Sequence, residues 1–353
     1  SFTADYENRL GGGRTFSATV YSKAEDSSYD GADWRGGYTS VEKTSANEQD
    51  NVGGTLQYTT PFFNDGGADH VLTGGIDLRQ GDFDRHDDYV SGRDILVSGT
   101  QRYAGLFLQD EIFLTEDLVL NAGGRYDYWK NDDGSNLDTD DSPVATEYES
   151  KTHDSFSPKL GATYHVSPRT TLRGSVGKAF RAPSLYDLYR TYITTYSVYA
   201  SNPDLGPEEV LSYEVGVEHR ITPAASIAVT LYRSDAEDYI ATITPDPEND
   251  PYYHEKANVG EVEIYGAETE FRYRITPAWS VEANFTYNRT TIQEYDPDPS
   301  LEGNFLPDTP TRKANLSVTY SDPDGFSAKA TARHVGQRYD NDSNSAEHDA
   351  YTL

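Results

Sequence analysis

Cysteine is absent from the 353 residues, and so is methionine. Without cysteine there is no disulfide scaffold, no thiolate metal site and no cysteine nucleophile. Roughly seven methionines would be ordinary at this length, and a fragment or an unusual source could each produce their absence. Apolar residues make up only 35%, against ~45–50% in an ordinary soluble domain, too few for one thick core. No apolar run approaches the ~18–20 residues of a membrane helix. Basic residues are few: 29 Lys and Arg face 59 Asp and Glu, leaving a charge of −30. That balance excludes wrapping nucleic acid or laying a basic face on anionic lipid. Disorder would suit such polarity, but 28 tyrosines and 12% aromatics oppose it. The chain opens at Ser1 with no initiator Met and no visible signal peptide, so it is expected to be an interior piece of something longer.

What is present is period-two alternation. Trp279, Val281, Ala283, Phe285 and Tyr287 are apolar or aromatic, and Ser280, Glu282, Asn284 and Thr286 between them are polar. That is a strand with one greasy and one wet face. The pattern recurs at 157–166, 211–218, 265–275 and 314–320. It is weaker near 14–22, 51–60, 70–80, 101–114, 117–129, 169–180, 224–234 and 325–335. About fourteen strands of ~10 residues result, the size expected for a membrane barrel. Glu268, Glu270, Arg272 and Arg274 share one side of one strand. A dry sandwich interior could not hold them unpaired. They are expected, with Glu214, Glu218 and Arg220, to form a cross-strand charge ladder facing water, while the other face meets lipid.

Connections alternate in length. Val166-Ser-Pro-Arg169, Ile221-Thr-Pro-Ala224, Ile275-Thr-Pro-Ala278 and, more loosely, Leu114-Thr-Glu-Asp117 are tight turns in which proline supplies a preset φ. Long polar connections cover about 24–50, 83–98, 130–153, 181–207, 235–259, 290–310 and 338–350. Short turns at one end and long loops at the other is the layout of an outer-membrane barrel with the long loops outside. Trp279 near a short turn, and Tyr126, Tyr128 and Trp129 near a long loop, fit aromatic girdles at the two rims.

The stretches Phe156–Tyr164 and Thr171–Leu185 resemble the barrel of a TonB-dependent outer-membrane receptor. In the right order follow Asn202-Pro-Asp-Leu-Gly-Pro-Glu208, Ser212-Tyr-Glu-Val-Gly216, Asn258-Val-Gly260 through Glu268, and Leu306-Pro-Asp-Thr-Pro310 before Ala314-Asn-Leu316. Leu106–Glu111 and Gly124–Tyr128 also fit. The resemblance implies an all-β, antiparallel transmembrane β-barrel, of which residues 1–353 form a part: about fourteen of a presumed 22 strands, with the plug domain absent. It further implies the outer membrane of a Gram-negative bacterium, a small-molecule ligand, and a TonB-type energy-coupling complex acting through the plug. Outer-membrane lipid and lipopolysaccharide are the surroundings, with no nucleic acid as partner.

The connection 181–207 carries Tyr186, Tyr189, Tyr192, Tyr196 and Tyr199, a candidate aromatic patch for an amphipathic ligand. Packing within girdle and loop is the competing reading. Arg181-Ala-Pro-Ser184 and Asn202-Pro-Asp204 read as structure, with the prolines ending pairing and Asn or Asp closing turns. Asp132, Asp133, Asp138, Asp140, Asp141, Glu147 and Glu149 cluster without EF-hand spacing and read as a solvated acidic loop. Eight histidines show no metal spacing, and no phosphate loop, nucleophile elbow or catalytic carboxylate pair stands out. No catalytic residue, metal or cofactor is expected. The leading function is an energised receptor importing an iron-siderophore, haem or cobalamin-like solute, the ligand class resting on the resemblance. A passive porin or adhesive surface barrel is the alternative, and a soluble protein of repeated hairpins a third.

Overall fold

A computed structural model of the chain describes residues 1–32, 41–63, 67–139, 144–193, 197–246, 248–322 and 325–353. In chain order the strands begin with β1 (Phe2–Leu10), β2 (Arg14–Ala32), β3 (Val41–Phe62), β4 (Asp69–Tyr89), β5 (Asp94–Phe113) and β6 (Leu118–Asp138). Next come β7 (Val144–Glu147), β8 (Lys151–Ser167), β9 (Thr170–Arg181), helix α1 (Leu185–Tyr189), β10 (Tyr192–Ile193), β11 (Val198–Ala200), β12 (Glu208–Thr222) and β13 (Ala225–Glu237). Then follow β14 (Ile240–Ile243), β15 (Tyr253–Asn258), β16 (Glu261–Arg274), β17 (Trp279–Glu294), β18 (Arg312–Ser321), β19 (Ser327–Val335), β20 (Arg338–Tyr339), β21 (Glu347–His348) and β22 (Tyr351–Thr352). A 16-stranded sheet runs from β1 to β22 in chain order, with β10, β11, β14, β15, β20 and β21 outside it and β7 a side branch on β6. Fourteen of its strands are nine residues or longer, and thirteen of them, all but β1, carry a stretch read from the alternation. Among the described residues, β1 and β22 remain separate edges of the sheet.

Register keeps the two faces apart across every pair. Val215 of β12 stands opposite Gly174 and Leu231, while Glu214 stands opposite Ser175 and Tyr232. Leu106, Leu108, Leu160, Val215, Leu231 and Leu316 all leave their apolar side chains exposed. A row of open leucines and valines on alternate positions of neighbouring strands needs an apolar solvent. On the opposite face the charges pair only in part. Arg173 approaches Glu218 at 3.6 Å, and Arg272 donates to Glu270 of its own strand at 2.8 Å while standing opposite Glu282. The ladder is therefore a mixture of along-strand and cross-strand contacts.

All four short turns share a device that proline alone does not reveal. Ser167, Thr222, Thr276 and Thr115 each accept, through the side-chain oxygen, the backbone N–H two residues on, at 3.2–3.3 Å. The hydroxyl satisfies a donor that the reversing chain would otherwise leave open.

The long connections differ from expectation. Much of 24–50, 83–98 and 130–153 is strand: β2 to β6 have 19 to 22 residues each, about twice the ~9–11 needed to cross a bilayer. On β4, Ile76 and Leu78 give way along the same face to Gln80, Asp82, Asp84 and His86. Carboxylates on that face mark where lipid ends. Beyond it the outer face is wet, so apolar alternation disappears while pairing continues. The N-terminal β1 was overlooked although it alternates as the others do, with Phe2, Ala4, Tyr6 and Leu10 on one face and Thr3, Asp5, Glu7 and Arg9 on the other. Trp129 is also no girdle residue. Tyr126 and Tyr128 stay exposed on the apolar face, but Trp129 projects from the other face, fully buried, and stacks on Tyr103, His153 and Phe180 at 5.8, 5.4 and 5.0 Å. Trp279 keeps its exposed rim position.

Candidate ligand site at the loop end of the sheet

Past Arg181, Pro183 removes a ladder donor and the chain leaves the sheet. Ser184 then caps α1, its Oγ accepting the Asp187 N–H at 3.1 Å. A five-residue helix has no stability alone. Burial of Leu185 and Leu188 against Phe83, Ile95, Val97, Leu205 and Ile240 holds it, each leucine contributing ~1.5–3 kcal/mol. Phe83, Ile95 and Val97 lie on the polar-face side of β4 and β5, so this apolar cluster forms on that side of the sheet, beyond the lipid band.

Tyr189 completes it. Its ring lies over Gly99 and Gly134 and stacks on Tyr148 at 5.1 Å. A Cβ at Gly99 would fall 2.7 Å from the ring, and one at Gly134 would also overlap it. Burial pushes the Tyr189 phenol up to about 12. Gln101 donates to the Pro183 carbonyl at 3.2 Å and Asn136 to that of Tyr189 at 3.0 Å, closing the backbone on both sides of the helix.

The charge centre is Asp87, fully buried. Its carboxylate meets Arg85 at 2.6 Å, Arg190 at 2.9 Å and Lys43 at 3.1 Å. Burial alone would raise the carboxyl, but hydrogen bonding and charge from Arg190, with Lys43 adding its charge, outweigh it and hold Asp87 well below the usual carboxylate range. Arg190 also lies over two aromatic rings, 4.8 Å from the centre of Tyr186 and 4.3 Å from that of Tyr192. Cation–π contact is strongest for such a desolvated guanidinium.

From Arg190 the aromatic surface continues across a small sheet ordered β10-β11-β15-β14, which joins the connection after β9 to the one after β13. Tyr192 pairs with Tyr199, rings 4.6 Å apart and nearly parallel, and Tyr199 pairs with His254 at 4.7 Å. Of the five tyrosines proposed from the sequence, Tyr186, Tyr192 and Tyr199 come together as a half-open ridge, Tyr186 being 37% exposed. Tyr189 is 2% exposed and lies in the packed cluster, turned away from that ridge. Tyr196 lies outside the described residues.

The polar motifs fasten this assembly. Arg181 grips Glu208 with two hydrogen bonds, and Glu208 accepts the Ile240 N–H at 2.8 Å. Asn202 donates to the Lys256 carbonyl at 2.8 Å. Asn258 accepts from the Gly206 N–H at 2.7 Å and donates to the Gly206 and Asp238 carbonyls. In the acidic connection, Asp132 pairs with Arg102 and Lys130, and Asp138 with Arg93; Asp140 and Asp141 lie outside the described residues. Asp87, Arg190, Gly99 and Gly134 carry the site yet went unrecognised in the sequence, and Glu208 entered only as the end of the Asn202 motif. Only the Arg181 and Asn202 motifs gave a signal, and it read as structure.

Over residues 1–353 the chain matches the family described as TonB dependent receptor-like, beta-barrel. It is 25% identical over 283 residues to the iron-regulated outer membrane virulence protein of Vibrio cholerae, covering 76% of this chain and 39% of that protein. It is 27% identical over 257 residues to the ferrioxamine receptor of Yersinia enterocolitica, covering 72% and 32%. Among solved structures, the siderophore receptor PiuA from Acinetobacter baumannii superposes with a TM-score of 0.78 at 18% identity, covering 99% of this chain and 56% of that one. The ferric yersiniabactin uptake receptor FyuA from Yersinia pestis gives 0.76 at 14%, covering 99% and 51%. The chain thus spans about two fifths or less of these curated relatives and about half of these solved chains.

Proposed function

The chain belongs to the TonB-dependent receptor β-barrel family, is non-enzymatic and lies in the outer membrane, and from that premise we propose that the receptor containing it binds a scarce iron-siderophore, haem or cobalamin-like solute outside the cell and imports it with TonB-supplied energy. Relatives named for ferrioxamine, hemin and vitamin B12 support that ligand class. The carrying observation is the fastening of two long connections into one aromatic ridge at the mouth: Tyr186 and Tyr192 over Arg190, Tyr192 on Tyr199, Tyr199 on His254. Stacked, amphipathic rings offer area to a planar or chelated ligand at small entropy cost. Arg190 is itself buried, so it acts by holding the rings and not by touching solute.

The test is uptake of labelled ferrioxamine, hemin and cyanocobalamin by cells carrying the full-length receptor, with and without collapse of the proton-motive force. One of the three should accumulate only in energised cells, and Tyr192→Ala with Tyr199→Ala should cut that accumulation at least severalfold. Flux indifferent to energy would establish the passive porin instead. Full uptake by the double variant would remove the ridge from the ligand path.

A further inference from the structure

Two arginines close the lipid-facing rows of β17 and β18. On β17 that row reads Trp279, Val281, Ala283, Phe285, Tyr287 and then Arg289, its first charge. On β18, running back beside it, the same face reads Tyr320, Val318, Leu316, Ala314 and then Arg312. From Trp279 to Arg289 the strand rises about 33 Å. A tilt of about 40° turns that into roughly 25 Å of height, the thickness of an outer-membrane apolar band. Trp279 holds the short-turn rim, so Arg289 and Arg312 stand where hydrocarbon ends on the side of the long connections.

Arg312 is opposite Tyr287, and Arg289 follows Tyr287 on the same face. The two arginines are therefore diagonal neighbours, ~7–8 Å apart at the backbone, and one tetrahedral anion can meet both. Arg289 is also held in place. Its guanidinium lies 5.4 Å from the centre of the Phe305 ring. Phe305 is fastened in turn: its N–H donates to Asn344 Oδ1 at 2.7 Å, its carbonyl accepts from Asn344 Nδ2 at 2.8 Å, and its ring stacks on Tyr339 at 5.9 Å.

Other cations on this face and at this end are matched. Arg102 and Lys130 share Asp132, Lys178 meets Glu209 at 2.6 Å, and Arg233 meets Glu263 at 2.7 Å. Among the described residues neither Arg289 nor Arg312 is in an ion pair, although 59 acidic side chains face 29 basic ones in the chain. Both strands lie inside the sheet, flanked by β16 and β19, so their neighbours on this face are in place. A guanidinium at the hydrocarbon edge lays its stem on apolar surface and offers a fork that fits phosphate.

We propose that Arg289 and Arg312 bind a phosphate of the outer-leaflet glycolipid, the lipid A part of lipopolysaccharide, with acyl chains running down the face past the exposed Phe285 and Leu316. The charge of −30 repels anionic lipid from the chain at large, and two unmatched guanidiniums make a single local exception. The site lies on the opposite face from the lumen, apart from the ridge of Tyr186, Tyr192 and Tyr199, and does not depend on the transport reading.

The test titrates lipid A into the full-length receptor, stripped of lipid in detergent, and counts bound lipid by native mass spectrometry. Lipid A freed of its phosphates is the control, and should bind at least tenfold more weakly. Arg289→Gln with Arg312→Gln should weaken binding of the phosphorylated lipid about tenfold, or ~1.4 kcal/mol. Arg289→Lys with Arg312→Lys should recover part of that loss, and Arg102→Gln, across the sheet, should change nothing. Tyr192→Ala should also leave binding intact, which separates this result from failure of the ridge. Full affinity in the glutamine pair or equal binding of the dephosphorylated lipid would overturn the proposal. Displacement of the lipid by equimolar inorganic phosphate would do so as well, since it would assign the arginines to a free anion.

Discussion

Replacing Asp87 by Asn tests how the connection after β9 is held in the mouth. The substitution keeps the shape and removes the charge. Arg85 and Arg190, with side chains 3% and 5% exposed, would stay buried with no counter-ion, while Lys43, at 20%, retains some water. Removing one partner from a buried pair costs ~3–5 kcal/mol, because the remaining charge has neither partner nor solvent. Lys43 can rehydrate and Asn can still accept hydrogen bonds, so the lower end applies. About 3 kcal/mol is on the order of 100-fold in an equilibrium. The strand ladders have no part in that loss, since Asp87 sits beyond the lipid band. The cost falls on docking of α1. Hydrogen exchange on the full-length receptor reads it through the Leu188 and Arg190 amides, which donate to the Ser184 and Tyr186 carbonyls at 3.0 and 3.1 Å. Those amides should exchange on the order of 100-fold faster, with the β12–β13 ladder unchanged. Adding Arg190→Met should cost less than the two single losses combined, because the orphaned cation is gone. If the α1 amides of Asp87→Asn exchange within threefold of wild type, the carboxylate does not hold the connection and the reasoning fails.

Further expectations concern pH, packing and the faces of the sheet. Asp87 has its folded carboxyl held below the usual range, so its contribution is present above the ordinary aspartate value and is lost as pH falls through the folded one. Protection of α1 should therefore be flat from pH 8 to 5 and decline below about 4. Tyr189 has the opposite sign. Its phenol is raised to about 12, so its contribution is complete below about 10 and disappears as pH rises through the folded value; Tyr189→Phe should remove one phenol from the late-ionising end of the phenolate absorbance titration. Gly134→Ala forces a methyl against the Tyr189 ring and should cost ~1–3 kcal/mol of docking, seen as faster exchange at α1. Val215→Arg on the apolar face should destabilise the folded receptor in bilayers by ~2–4 kcal/mol, while Thr230→Arg on the polar face should leave it within ~1 kcal/mol; denaturant unfolding in vesicles distinguishes them.

The strands crossing lipid were legible because lipid and water impose opposite demands on alternate residues. Trp279 to Tyr287 spells out β17 through the membrane. Past the bilayer that demand stops, and Asp84, His86 and Asp88 of β4 read like any polar loop although they still pair with β5. The site suffered most from this. Asp87 is one of 59 acidic residues, and only its long-range partners Lys43 and Arg190 set it apart. The tyrosines were visible as a cluster but not as two populations. Tyr189 faces glycines from β5 and β6, contacts between residues some 55 and 90 positions apart that no local pattern reports. Pro183 and Asn202 were legible as chain terminators and turn formers, since that chemistry is local.

The most direct measurement uses the absence of cysteine from these 353 residues. Single cysteines from position 211 to 218 of β12, in the full-length receptor reconstituted in bilayers, would carry spin labels whose relaxation by oxygen reports lipid and by a polar nickel chelate reports water. Labels at 211, 213, 215 and 217 should respond to oxygen, and those at 212, 214, 216 and 218 to the chelate or to neither where packing shields them. A uniform response, or chelate access on the odd positions, would contradict a wall with one face in hydrocarbon and the other in a wet interior.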